Sequence, residues 1–252
     1  MELAGFSLEI LTILFCIAVV AGLIDTLAGG GGLIVLPALI LTGIPPHYAL
    51  GTNKLQGSMG TATATIMMLR KRRVHPQEVR TLMIAAFLGS VLGTVAVQFV
   101  DTDILSFVIP LVLTCIAIYF LFSPQPIQGG KAVLSERSYQ RFAVPAIGWY
   151  DGMFGPGTGS FFALAGVSLR GLGLIDATAV AKTLNFATNI ASLFVFLLAG
   201  KIVWVVGLLM MVGQMLGAWA GSHVLFTINP KYLRLLVVAM CTGMMIRYVF
   251  YS

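Results

Sequence analysis

Two stretches of this chain, 126 positions apart, read almost as copies: Gly22-Leu-Ile-Asp25-Thr-Leu-Ala-Gly29-Gly-Gly-Gly32 and Gly148-Trp-Tyr-Asp151-Gly-Met-Phe-Gly155-Pro-Gly-Thr-Gly159. Each sets an aspartate and a run of glycines inside apolar sequence. The whole chain is 58% hydrophobic and 10% charged, with a mean hydropathy of +0.97, too few charges for 252 residues to cover themselves in water. This is the composition of a polytopic membrane protein. In lipid, non-helical backbone is tolerated only where it is buried in protein or lines a cavity. A matched pair of interruptions is therefore the best pointer to a transport site.

Apolar segments fall at 6–24, 31–43, 49–69, 79–100, 104–122, 142–150, 158–169, 177–199, 202–226 and 231–250. A spanning helix needs about 20 residues, so most can cross. The segments at 31–43, 142–150 and 158–169 are short and flank the glycine runs. They read as half-helices, either re-entrant or parts of discontinuous helices. The run from Phe6 to Ile24 has no basic stretch before it and contains Glu9, so it is expected to stay in the membrane.

The duplication extends beyond the glycines. Lys54-Leu-Gln56 falls opposite Lys182-Thr-Leu-Asn185, Gly89 and Gly93 opposite Gly217 and Gly221, and Thr114 opposite Thr242. The expected organisation is a first transmembrane repeat over 1–122, a polar cytoplasmic linker over 123–141 and a second repeat over 142–252. The net charge of +6 does not point to nucleic acid, because the basic residues lie in short loops between apolar segments. Placing the Arg70-Lys-Arg-Arg73 loop in the cytoplasm puts eleven basic residues inside and only Lys201 and Arg247 outside. Both termini are then periplasmic. Each copy has an odd number of spans, so the second must be inverted relative to the first. The fold class expected is an all-α polytopic membrane protein of two inverted-topology repeats with glycine-interrupted half-helices and about 8–10 membrane segments.

The candidate site follows from the same residues. Gly29, Gly30, Gly31 and Gly32 in one copy, and Gly155, Gly157, Thr158 and Gly159 in the other, expose backbone amides at the start of a half-helix. Those amides and the helix dipole favour an anion. Gly89, Gly93, Gly217 and Gly221 lie on uninterrupted helices and read as close-packing positions instead. Asp25 and Asp151 each precede their glycine run by four positions. A carboxylate there either carries a coupling proton or ties down the broken backbone. Lys54 and Lys182 adjoin a long apolar run in matching positions, either completing an anion site or snorkelling to the interface. Asn53 and Gln56 in one copy, and Asn185 and Asn189 in the other, add donors on overlapping helix faces. A lysine is also able to pair with Asp25 or Asp151 and neutralise both.

Cys16, Cys115 and Cys241 lie far apart in apolar runs, which argues against a disulfide framework. His47, His75 and His223 show no metal-ligand spacing, so no metal or other cofactor is expected. No nucleophile, phosphate-loop or zinc-protease motif marks an enzyme.

With these motifs in place, Asp25-x-x-Ala-Gly-Gly-Gly-Gly-Leu…Pro37 followed by Gly51-Thr-Asn53-Lys54-Leu-Gln56 resembles the TauE/SafE sulfite exporter family of bacteria. The string from Gly148 through Gly159 to Ser160-Phe-Phe, then Ala181-Lys182-Thr-Leu-Asn185-Phe, is similar to its YfcA-like branch. The resemblance covers essentially the whole chain. It implies a bacterial inner-membrane permease that moves small sulfur-containing anions such as sulfite or organosulfonates, often outward and coupled to the proton gradient. The function expected is secondary transport of a small anion by alternating access. Its partners would be that anion and the lipid bilayer. A passive anion channel and a non-transporting membrane assembly subunit remain the alternatives.

Overall fold

The computed structural model describes residues 2–3, 5–122 and 130–224. Within them the fold is all-α, apart from a two-residue antiparallel pairing of β1 (Glu2–Leu3) with β2 (Phe6–Ser7). The expected segment at 231–250, with Lys231, Arg234, Thr242 and Arg247, lies outside the described residues, as does linker stretch 123–129.

The Ser7 side chain accepts the Ile10 amide and starts α1 (Leu8–Ala28), which ends at Gly29 with φ 79°. After the break come α2 (Gly32–Leu41), then α3 (Pro46–Arg70) and α4 (Pro76–Gln98), each opened by a proline where no amide partner is needed. α5 (Thr102–Phe122) closes the first copy. The helix that leads into the second glycine break starts earlier than its apolar pattern suggested. α6 (Glu136–Ser138) winds through a π-helical stretch, Tyr139–Ala143, into α7 (Val144–Met153). The helix thus begins inside the stretch read as linker, for two reasons. Ser135 caps it by accepting the Ser138 amide, and Tyr139 buries its ring with Ala86 and Val144. α8 (Thr158–Arg170), α9 (Leu174–Leu198) and α10 (Trp204–Val224) complete the described helices.

Four helices, α1, α4, α9 and α10, are long and apolar enough to cross a membrane. Their outer faces carry Ile13, Leu88, Leu92, Phe194 and Trp219, all exposed, as contact with lipid requires. α3 is equally long but carries Asn53, Lys54 and Gln56, and it lies packed against α9 and α10. The short segments are indeed short: α2 and α7 have 10 residues each and α8 has 13.

Small residues set the helix pairs. A Cβ on Gly217 would strike the Val19 carbonyl, and one on Gly221 would come within 2.9 Å of the Leu23 carbonyl. α1 and α10 therefore run parallel with their backbones in contact. In the same register, Gly89 and Gly93 meet the carbonyls of Pro145 and Trp149, so α4 and α7 are parallel too. α3 and α9 run antiparallel: Gly51 abuts Lys201, Gly57 faces Asn189, and the Thr65 hydroxyl donates to the Lys182 carbonyl at 3.2 Å.

These pairings give the bundle two ends. At the first, α3 and α10 begin, joined by the Val203 amide donating to Thr52 Oγ1 at 3.0 Å, and α4 ends beside His47. At the second, α3 and α10 end, joined by Lys71 Nζ donating to the Ser222 carbonyl at 2.9 Å. α1 rises from the first end, and after the glycine break α2 returns to it to feed α3. α7 rises from the second end, and α8 returns there, where Leu134 donates to the Leu169 carbonyl and Arg170 approaches Glu136 at 3.7 Å. Each interrupted pair therefore turns back toward the end of the bundle from which it started. The second end gathers Arg70 to Arg73, Arg80, Lys131, Arg137, Arg141 and Arg170, whereas the first has Lys201 among the described residues.

Candidate functional site

The two breaks meet. A Cβ on Gly29 would collide with the Ser160 amide and the Gly159 backbone, and the Ser160 hydroxyl donates to the Ala28 carbonyl. Positive φ at Gly29 (79°), Gly155 (92°) and Gly157 (80°) is what lets the chain reverse in so little space. α2 and α8 both start here and run away toward opposite ends, so the positive poles of two half-helices face one region.

Around it lies a cavity of about 20 Å³ of space for the centre of a water molecule, room for roughly one water. The expected residues Gly29, Gly32, Gly155 and Gly157 line it, with Asn53 from α3 and Asn185 from α9. Gln56, Asn189 and Asp25 face it as well. Gln56 Nε2 donates to Asn53 Oδ1 at 3.0 Å, and Asn189 Nδ2 to Asn185 Oδ1 at 3.4 Å. With their oxygens engaged, Asn53 and Asn185 are left with their amide nitrogens as donors. Asn53 Nδ2 lies 3.6 Å from where a Cβ on Gly32 would stand and 3.5 Å from one on Gly155. Asn185 Nδ2 stands 3.4 Å from one on Gly159. The absent side chains keep this space open.

The other expected residues take places just behind this lining. Thr158 spends its hydroxyl on the Gly155 carbonyl at 2.7 Å, inside its own turn. The Gly31 amide, one of those expected to receive an anion, donates to Asp25 Oδ1 at 3.2 Å. Gly30 completes the turn by accepting the Leu33 amide at 3.0 Å. Lys54 Nζ donates to the Asp151 carbonyl at 2.6 Å and pairs with its Oδ2 at 2.8 Å, both side chains only 1% exposed. Lys182 Nζ donates to the Asp25 carbonyl and lies 3.6 Å from Asp25 Oδ2. Each lysine thus reaches the last turn of the helix that precedes the other copy's glycine break, where a cation suits the dipole and an unpaired buried carboxylate would be costly. Two lysines and two aspartates leave the site balanced in charge.

Three lining residues carried no flag in the sequence. Gly57 and Thr61 extend the Asn53–Gln56 face of α3 by further turns. Gln214 comes from α10, where it is the one amide in an apolar helix, and that isolation was the available signal. In the other copy Ala86 takes its place: Gly22 rests on the Gln214 carbonyl as Gly148 rests on that of Ala86.

The family described as Sulfite exporter TauE/SafE matches this chain over residues 14–248. A probable membrane transporter protein of Haemophilus influenzae is 44% identical over 247 residues, covering 97% of this chain and 96% of its own length. The probable membrane transporter protein YfcA of Escherichia coli K12 is 42% identical over 238 residues, covering 91% and 86%. A probable membrane transporter protein ORF9 of a Sinorhizobium species is 41% identical over 242 residues, covering 96% and 93%. No solved structure matches.

Proposed function

Because the chain belongs to the sulfite exporter TauE/SafE family, and is thereby a multi-pass membrane transporter, we propose that it moves a small anion, sulfite or an organosulfonate first among them, by alternating access. One observation carries the reading. Two half-helix N-termini and the amide donors of Asn53 and Asn185 converge on a single small cavity, while Lys54 and Lys182 cancel the nearby carboxylates. An anion entering there meets donors and no net negative charge.

The same reading takes the two copies as inverted repeats about this cavity. Its support is the exchange of contacts between them, with α1 on α10 matched by α7 on α4, and hairpins entering from opposite ends. The basic end of the bundle faces the cytoplasm of a bacterial inner membrane in this scheme, which puts the start of α1 outside. Outward transport coupled to the proton gradient completes it, with Asp25, on the cavity wall, as the proton-carrying group. The glycine turns, Gln56 and the lysine-held half-helices act as the frame that holds the anion.

The test is uptake and efflux of radiolabelled sulfite, methanesulfonate and chloride in proteoliposomes, with and without a pH gradient. Sulfite or sulfonate movement that saturates supports the proposal. Failure to move any small anion under either condition sinks it.

A further inference from the structure

Two amide side chains of the cavity wall carry an oxygen with no donor among the described residues. Gln56 is 1% exposed and Gln214 is 2% exposed. Oε1 of each is buried with no hydrogen-bond partner among the described residues. In Gln56 the orientation is held, because Nε2 is committed to Asn53 Oδ1 at 3.0 Å. In Gln214 the stem is lodged against Gly60, where a Cβ would leave it no room. Buried acceptors are nearly always satisfied, by protein, water or ligand. The fold does not demand the second one, since the matching pairing of α4 with α7 is made with Ala86 at that position.

Resting on the anion reading above, we infer that Gln56 and Gln214 select substrates carrying their own hydrogen-bond donor beside the anionic group, such as a protonated oxoanion or an amino-substituted sulfonate. The cavity has two chemically distinct walls. Asn53 Nδ2, Asn185 Nδ2 and the half-helix starts offer hydrogens to anionic oxygens. The glutamine oxygens offer lone pairs and require a hydrogen in return. A bound substrate either brings an N–H or O–H to these oxygens or leaves two acceptors bare, and a site built this way discriminates strongly against the analogue lacking the donor.

Sulfamate and methanesulfonate make the decisive pair of probes: both are monoanionic sulfonates of the same size, one ending in NH₂ and the other in CH₃. Thermal stabilisation of the purified transporter, titrated with each, is expected to give sulfamate at least about a tenfold lower half-saturating concentration. In Gln56→Leu and Gln214→Met the gap should narrow to about twofold or less, because sulfamate binding falls by the larger factor. Equal binding of the two anions by the unmodified protein overturns the inference while leaving anion transport standing, as does a preference that survives in both variants. If neither of them nor sulfite stabilises the protein or crosses in proteoliposomes, the anion reading itself fails, and this selection with it.

Discussion

Lys54 Nζ lies 2.8 Å from Asp151 Oδ2, and Lys182 reaches Asp25 in the same manner, so each copy's lysine closes the broken helix of the other copy. The exchange explains why both charges are tolerated at buried positions. Each ammonium also takes a backbone carbonyl near the end of a half-helix, which a broken helix in lipid has to satisfy. The two copies are therefore bound to each other at the site as well as along their helix faces.

Removing one partner of such a pair should cost far more than removing both. Lys54→Met leaves the Asp151 carboxylate buried and unpaired, a loss of about 3–5 kcal/mol. Lys54→Met combined with Asp151→Leu removes both charges and should recover a large part of it. Melting in detergent, followed by size-exclusion chromatography, reads the difference. A double variant no more stable than the single one would contradict the pairing.

Backbone contact at the glycines predicts a second asymmetry. Gly217→Ala drives a methyl group into the Val19 carbonyl, and Gly89→Ala drives one into that of Pro145. Each should lower stability by about 1–3 kcal/mol, with the two costs adding because the interfaces are separate. Gly130→Ala meets nothing within 4 Å and should leave the melting temperature unchanged. Equal melting of all three would show that α1 and α10 do not approach as closely as described.

Much of this was legible in the order of residues, and some could not be. The glycine runs at Gly29 and Gly155 announced broken helices because four successive glycines exceed what close helix packing needs. The lysines at 54 and 182 announced themselves by their matched positions. Their partners did not: an offset between copies says which residues correspond, never which ones touch. That Lys54 crosses to Asp151 rather than to Asp25 depends on how the two copies sit against each other, and only the fold shows it. Gln214 escaped for a related reason. Without knowing that α10 lies against Gly22 and Gly60, a single amide among leucines and methionines has no address.

The arrangement of the hairpins can be checked from outside the membrane. In a background with all three cysteines replaced, Pro45→Cys and Ala199→Cys sit exposed at the first end, and Gln77→Cys and Val133→Cys at the second. A membrane-impermeant maleimide applied to intact cells should label the first two and reach the others only after permeabilisation. Labelling of Pro45→Cys is the telling measurement, because it requires α2 to return to the side from which α1 started. Protection of that position in intact cells, with Ala199→Cys labelled, would mean that α1 and α2 cross as one interrupted span.

The two aspartates should separate in function, because their surroundings differ. Asp25 lines the cavity and its Oδ2 lies a loose 3.6 Å from Lys182, whereas Asp151 is 1% exposed and held at 2.8 Å by Lys54. A proton carrier has to exchange its proton with the substrate pathway, and of the two aspartates it is Asp25 that lines the cavity. Asp25→Asn keeps a side chain able to accept the Gly31 amide, so the turn should survive while the titratable group is lost. The expected result is a variant that still exchanges labelled anion at equilibrium but no longer accumulates it against a pH gradient. Asp151→Asn should instead keep coupling and lose stability, since it strips the charge partner of Lys54. Paired exchange and gradient-driven assays in proteoliposomes resolve the two. Accumulation by Asp25→Asn at the unmodified rate would remove Asp25 from the coupling path and leave it a purely structural ligand of the broken helix.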